Sequence, residues 1–498
     1  MRALIASRFA MFALVILTIA GLFGVAWVSR RAVGGAGGAA AVTPTARVTS
    51  AIRSCPAPAS GGRVAVFAAP GQGSPPGRAE LFAAPTIAVG APGAAAAKPV
   101  PAVTAAPLAA VTRPGRLWLS GPRFAAGARP RARGRAAHGQ AAALTVAASG
   151  AMAQGLDAEQ TFYPQNGTAG VLSGVQCAQP GTDFWFVGPG QVAIGNVAIY
   201  LVNPDSEPAA ADVEIFTDTG PFQGNSDTGI AVPPHGSVVQ SIGKLIKGSQ
   251  VLALHVRTSV GRVAAAVQGA GAWWRPASPP ATQVVIPGLP GASTGRRLFL
   301  IDPSGGNDAQ VRVKAITPAG SYEPAGAGGI DVPSGSAVAL DLPSLNGIPA
   351  ALVLKSTVPI TAALLVGRNA FTAATGPISQ QGVVADNMTA GYSVSLVLSA
   401  PGRAAQVRIA TAGAGGPVGT GRLVALQAGR TMQVLLAVPR SARGGFAVVV
   451  SPAAGSGPVY AARVVAVRAG VQLITPVVSS PAWVQLPAIS GSGVAAIP

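Results

Sequence analysis

The sequence predicts an all-β protein: one N-terminal membrane helix followed by tandem immunoglobulin-like β-sandwich units. Three observations point there. The chain has 65 Gly and 44 Pro with only 10% charged residues, a mixture that favours short strands joined by turns over long helices. Its apolar runs alternate with period two, the mark of sheets with one buried and one wet face. A set of such runs also recurs roughly 93–100 residues apart, too long for a solenoid and about the size of a sandwich domain.

The helix comes first. Phe9–Val28 is twenty residues without a charge, and at ~1.5 Å per residue it spans about 30 Å, the thickness of a hydrocarbon core. It is longer than a secretory h-region of about 7–15 residues, so residues 1–30 read as an uncleaved signal anchor. Secretion after cleavage near residues 39–41 is the alternative. Arg2 and Arg8 flank one end and Arg30 and Arg31 the other, so charge leaves orientation nearly balanced. With no other span, we expect a single-pass protein with an extracytoplasmic body.

Residues 31–47 form a Gly/Ala/Thr-rich flexible spacer. Residues 48–182 read as an irregular N-terminal β domain with a disordered Ala/Pro/Arg-rich insert near 86–141. Three β repeats follow, at 183–290, 291–385 and 386–498. Val197–Pro204, Arg297–Pro303 and Ser393–Ala400 correspond, and each precedes an alternating strand: Ala211–Phe216, Ala309–Ala315 and Ala405–Ala410. In Ala309–Ala315, Val311 and Val313 alternate with Arg312 and Lys314. Pro280–Pro287 and Pro481–Pro487 resemble each other as closing strands, which leaves a propeller of paired blades as the alternative architecture.

Charge narrows the partners. Net charge is +19, and thirty of the 35 basic residues are arginine. From Met1 to Leu156 the only acid is Glu80, and Arg113, Arg116, Arg123, Arg129, Arg131, Arg133 and Arg135 crowd one stretch. Such a field attracts polyanions. Anionic wall polymer, polysaccharide or lipid suits it better than nucleic acid, because only Trp118 and Phe124 lie nearby for base stacking.

Candidate chemistry is sparse. Cys55 and Cys177 are the only cysteines, an even pair that in an exported protein predicts a disulfide. In the chain-entropy model so long a loop makes it worth ~4–5 kcal/mol. It would fasten the N-terminal domain to the first repeat. Of the histidines, His138 lies in the Arg-rich stretch, His235 in a Pro-Pro-His-Gly turn and His255 on the expected wet face of a strand. No metal-binding spacing, P-loop, dinucleotide fingerprint or nucleophile elbow occurs, so no catalytic residue, metal or cofactor is expected. Asp205, Glu207, Asp218, Asp227, Asp302 and Asp308 sit in turn sequence. Asp157 and Glu159 share one face of a strand and read as solvent groups, with a glycosidase pair as the rival reading. Trp185, in Thr182–Gly188, and the Trp273–Trp274 pair are candidate stacking platforms, though burial in a core is the simpler expectation. Asn166-Gly-Thr and Asn387-Met-Thr fit a glycosylation pattern, to which we attach no meaning in a bacterium.

The stretch Cys177–Gly188 (CAQPGTDFWFVG), the Asn203-Pro204 strand end, the N-terminal apolar helix and Cys55-Pro-Ala-Pro together resemble an actinobacterial family of secreted or membrane-anchored proteins, domain of unknown function 5719. The resemblance covers most of the chain after about residue 48, excluding the Ala/Pro/Arg insert. It brings no activity with it, and implies a role in the cell envelope only by association. The expected function is a non-enzymatic, membrane-anchored protein that binds or scaffolds envelope components, with other envelope proteins among its partners. A carbohydrate-binding module on wall polysaccharide and an envelope hydrolase are the alternatives.

Overall fold

The computed structural model describes residues 16–24, 45–57, 62–70, 75–89, 107–120, 142–162, 172–190, 197–222, 228–242, 246, 248–269, 271–291, 295–343, 345, 347–388, 391–440, 442, 444–468 and 470–486. The chain divides into a small unit of residues 1–46 and 484–498, and a large one of residues 47–483. In the small unit Ile16–Gly24 is an exposed helix. No helix among the described residues is long and apolar enough to cross a membrane. Most of the expected span, residues 9–15 and 25–28, lies outside them.

The large unit is all-β, and its alternation explains why. In Ala309–Ile316, Val311 and Val313 are fully buried while Gln310, Arg312 and Lys314 face solvent. One face of the pleat therefore supplies core and the other stays wet. The same logic recurs strand after strand and produces one strand order several times.

In the first repeat, apart from the two-residue strand Gly220–Pro221 that turns back on Ala209–Thr217, eight strands follow in sequence: Asp183–Pro189, Ala198–Val202, Ala209–Thr217, Ile230–Val232, Ser237–Ser241, Val251–Val260, Ala264–Gly269 and Ala272–Trp274. One sheet takes the first, sixth, third and fourth; the other takes the eighth, seventh, second and fifth. The third repeat, from Gly382–Asn387 to Gly470–Pro476, has the same two sheets in the same order. The second, from Ala281–Leu289 to Ala370–Ala373, differs in one respect. Its sixth and seventh strands are a single 17-residue strand, Ala350–Val366, whose halves pair in different sheets. Ala198–Val202, Arg296–Ile301 and Ser393–Ala400 thus hold one equivalent place.

The N-terminal region is not irregular. Its strands Ser50–Cys55, Gly62–Ala68, Ala79–Ala84, Ala109–Val111, Trp118–Leu119, Ala143–Ser149, Leu156–Phe162 and Ser173–Gln176 pair in the same two-sheet order. It is a fourth copy. Part of the stretch expected to be a disordered insert, 86–141, is ordered strand. Thr86–Val89 runs parallel to Ser237–Ser241 as an added edge of the first repeat, and Ala109–Val111 and Trp118–Leu119 serve the N-terminal copy. Residues 90–106 and 121–141 lie outside the described residues.

Each copy has one core between its two sheets, and each core meets the next copy. Phe299, Ile301 and Phe371 of the second repeat join the first repeat's core, where Trp274 stacks on Phe371 at 6.0 Å. Gly188 admits that indole, since a Cβ there would come within 2.6 Å of it. Val397, Ala462 and Ile474 of the third repeat join the second's core. Phe67 and Leu117 of the N-terminal copy pack on Val383 and Val449 of the third repeat, and Phe162 and Val175 pack with Tyr200 and Trp273 of the first. The eighth strands of the four copies pack each against its neighbour, the last returning to the first.

The cysteines form the expected Cys55–Cys177 disulfide. Its place differs from expectation. Cys55 ends the first strand of the N-terminal copy and Cys177 directly follows its eighth, so the bridge closes that copy on itself. The Pro481–Pro487 segment is not the counterpart of Pro280–Pro287. Trp483–Gln485 pairs with Thr45–Arg47 in a two-stranded sheet, whereas Ala281–Leu289 opens the second repeat.

Candidate functional site: a buried charge cluster at the closing seam

Strand Leu156–Phe162 sends Leu156 and Ala158 into the N-terminal core, so alternation turns Asp157, Glu159 and Thr161 the opposite way. That face is not wet. It packs against strand Gly382–Asn387 of the third repeat, and Asp157 and Glu159 are 1% and 2% exposed. The expectation of solvent groups is corrected: a second copy covers the polar face of the first.

Buried carboxylates need partners, and here each oxygen has one. Gln176 Nε2 donates to Asp157 Oδ1 at 2.9 Å, and the Ala385 N–H to Oδ2 at 2.9 Å. Arg463 donates to both oxygens of Glu159, at 2.9 and 3.1 Å, and the Asp386 N–H reaches Oε2 at 2.7 Å. Asp386 is fully buried and accepts from Arg63 Nε at 2.9 Å, from Arg63 Nη2 and from Thr161 Oγ1 at 2.7 Å. Arg463 also donates to Thr475 Oγ1 and to the Asp386 carbonyl. The groups come from strands up to about 400 residues apart, from Arg63 to Arg463, and clasp the two ends of the β body.

Burial sets the electrostatics. It pushes the Asp157 carboxyl up to about 7, and the charge of Glu159 adds to it; Gln176, Arg53 and the Ala385 N–H oppose the rise. Burial likewise raises Glu159, chiefly opposed by Arg463. Arg275, which donates to the Ile474 carbonyl at 3.1 Å, is lowered by burial to about 10. With all six carboxylate oxygens held by protein donors, the arrangement acts as a lock. It has no open face on which a glycosidase pair could receive a sugar.

The other sequence candidates fall elsewhere. Trp185, Trp273 and Trp274 are all buried, so none presents a free stacking face and the platform reading is corrected at each. Trp185 spends its ring on His255, stacked at 3.8 Å. His255 is buried rather than wet, between Glu214 at 2.8 Å and Asp183 at 3.3 Å. Arg113 and Arg116 are exposed; Arg123, Arg129, Arg131, Arg133 and Arg135 lie outside the described residues, as do His138 and Asn166. Asn387 is fully buried and donates to the Val384 and Phe446 carbonyls, which closes it to glycosylation. Of the turn acids, Asp302 accepts the Ser304 N–H two residues on, as turn chemistry requires. Asp205 instead pairs with Arg262, Asp218 accepts from Ser249 Oγ and the Gln250 N–H, and Asp308 accepts the Ser334 N–H, all partners distant along the chain. Asp227 lies outside the described residues. Among the described residues no group of three His, Cys, Asp or Glu could hold a metal ion.

Sequence reasoning missed Asp386, Arg463 and Arg63. Asp386 carries a signal in hindsight, as the only acid after Asp341. A model of a family described as a family of unknown function (DUF5719) matches residues 132–437, more than half of the chain. The match takes in Asp157, Glu159 and Asp386 and stops before Arg463. No curated protein matches the chain.

Proposed function

We propose, of a chain that belongs to the DUF5719 family of unknown function, that it is a non-enzymatic, membrane-anchored envelope protein whose body binds anionic envelope polymer and scaffolds its neighbours. The observation that carries this is a partition of charge. Residues 183–381 hold twelve acids against eleven basic residues. Residues 382–498 hold eight arginines and the single acid Asp386, while residues 47–182 hold twelve basic residues and only Glu80, Asp157 and Glu159. Since Asp157, Glu159 and Asp386 are buried, the two copies joined at the charged seam face outward with almost pure positive charge. A one-signed surface of this kind concentrates polyanions.

We read the architecture as a closed ring of four two-sheet copies, a propeller of paired blades more than a string of independent sandwiches. Supporting that reading are the cyclic packing of the eighth strands and the seam joining the last copy to the first. The twenty apolar residues 9–28 supply the anchor, and the disulfide suits an extracytoplasmic body. Each cation near an anionic surface contributes about 1 kcal/mol at low salt, so Arg113–Arg135 and the basic copies act together.

The test uses the full chain in non-ionic detergent with purified anionic wall polymer and a neutral polysaccharide. Binding to the anionic polymer alone, lost as salt rises, is expected. Replacing the seven arginines by glutamine should remove most of it. Equal binding of both polymers, or full retention by the variant, refutes the reading.

A further inference from the structure

The fifth strand of each copy closes one side of its sheet, and the four edges differ. In the first repeat Ser237–Ser241 is covered by Thr86–Val89, an extended Thr-Ile-Ala-Val segment from the N-terminal region that runs parallel to it. The Ser237 N–H starts that pairing by donating to the Pro85 carbonyl at 2.8 Å. In the N-terminal copy the edge is Trp118–Leu119, only two residues long. In the second repeat Ala337–Asp341 ends on an acid whose side chain is 86% exposed. A short strand and a charge both discourage further pairing.

The third repeat has no such device. Its fifth strand, Arg430–Leu435, is six residues long, and among the described residues no strand pairs on its far side. The Leu436 N–H donates to the Val394 carbonyl at 2.9 Å. By antiparallel alternation Met432 and Val434 therefore spend their backbone groups on Ser393–Ala400, while those of Gln433 and Leu435 point away. The Thr431 N–H also points away and is taken by the Thr317 carbonyl of the second repeat at 3.3 Å. Along this edge Leu435 is 69% exposed, and Leu423, Met432 and Val438 are exposed too. Arg422 on the preceding strand and Arg440 just beyond are exposed. Asp386, the one acid of the third repeat, is buried, so no exposed acid of that repeat offsets them.

We propose that the Gln433–Leu435 edge takes up an extended segment of a second protein, apolar where it pairs and acidic at its flanks, as an added parallel strand. The first repeat supplies the precedent, since the same edge of the equivalent sheet is filled there by a strand from outside the repeat. Charge selects the partner. A second copy of this chain brings an edge of the same sign, which opposes pairing. Main-chain bonds hold the segment, and Met432 and Leu435 receive its side chains. The inference goes beyond polymer binding and does not depend on Arg113–Arg135.

Fluorescence anisotropy of the full chain in non-ionic detergent tests it, with a labelled peptide that sets Thr-Ile-Ala-Val between runs of glutamate. Saturable binding at a single site is expected. Methylating the peptide's amide nitrogens at one or the other alternate set of positions removes donors from one edge only, and one of the two sets should weaken binding about tenfold. Gln433→Pro deletes an outward N–H that the sheet does not use and should weaken it as much. Leu435→Asn should weaken it severalfold. Should Gln433→Pro fail to fold, the methylated peptides decide with the parent chain. Replacing the seven arginines of Arg113–Arg135 by glutamine should leave peptide binding unchanged, so a failed polymer test leaves this result standing. No saturable binding, full retention by both methylated peptides, or equal binding of a lysine-flanked peptide overturns the proposal. A dimer of the parent that Gln433→Pro disperses and the peptide does not would assign the edge to a second copy, and overturns it as well.

Discussion

Two seams of the β body solve the same problem with different chemistry. Between the first and second repeats, Trp274, Phe371, Phe299 and Ile301 merge two cores into one, with rings stacked at 6.0 and 6.3 Å. Between the third repeat and the N-terminal copy, Arg63 pairs with Asp386 and Arg463 with Glu159, while Asp157 is held by Gln176 and the Ala385 N–H. The first seam joins neighbours along the chain, where a short connection already limits the choice of partner. The second joins segments more than 200 residues apart, with many similar β faces to confuse. Apolar contact is non-directional, whereas a carboxylate with two fixed donors accepts one register. A buried ion pair contributes little net stability over an apolar pair. We therefore infer that the charged seam serves to specify the closing contact more than to strengthen it.

The largest effect should come from breaking that lock on one side. Arg463→Leu strands Glu159 in the interior, and breaking a buried pair in this way costs about 3–5 kcal/mol. Denaturant unfolding should show it. The double variant Glu159→Leu, Arg463→Leu should recover most of the loss, because no charge is left unpaired. If the double variant is as unstable as the single one, the pair strengthens the seam rather than selecting it.

Next comes the disulfide. Cys55→Ser with Cys177→Ser should cost about 2–4 kcal/mol. Because the bridge lies within the N-terminal copy, the loss should appear as early hydrogen exchange in residues 50–176. Uniform loosening across all four copies would contradict that placement.

The two seams should also part company with pH. Folding raises Asp157 to about 7, from an unfolded value of about 4. Over that interval the folded chain keeps a proton that the unfolded chain releases, so stability falls as pH rises from about 4 to about 7 and levels off above. Burial shifts Glu159 the same way. Asp157→Asn should flatten much of this slope. Phe371→Leu at the apolar seam should lower stability equally at every pH. An unchanged slope in Asp157→Asn would place the titrating group elsewhere.

These contrasts mark what the sequence could and could not say. Strands are local, and the V-x-V alternation of Ala309–Ile316 makes both the strand and its wet face readable. The fourth copy was hidden because its fourth and fifth strands, Ala109–Val111 and Trp118–Leu119, are only three and two residues long and long Ala/Pro/Arg stretches flank them. The disulfide was legible from an even pair of cysteines and the expectation of export; what it fastens was not, because that depends on pairing. Asp157 and Glu159 were legible as co-facial. Whether that face meets water or another copy is decided by residues 385, 386 and 463, which no local pattern connects to them. The indoles at 273 and 274 could be platforms or core for the same reason.

The smallest effect on stability should come from the same residue type placed outside. Arg113 and Arg116 are exposed, unlike Arg463, so neither charge was taken from water to make a contact. Replacing both by glutamine should leave the unfolding free energy within about 0.5 kcal/mol of the parent, as for surface changes in general. Their field still reaches a partner across the ~8 Å over which physiological salt screens, so low-salt affinity for anionic polymer should drop while stability stays put. The pairing of results is what discriminates. A loss of stability without a loss of affinity would make Arg113 and Arg116 structural, and would move the polyanion contact to residues 121–141 or to the third repeat.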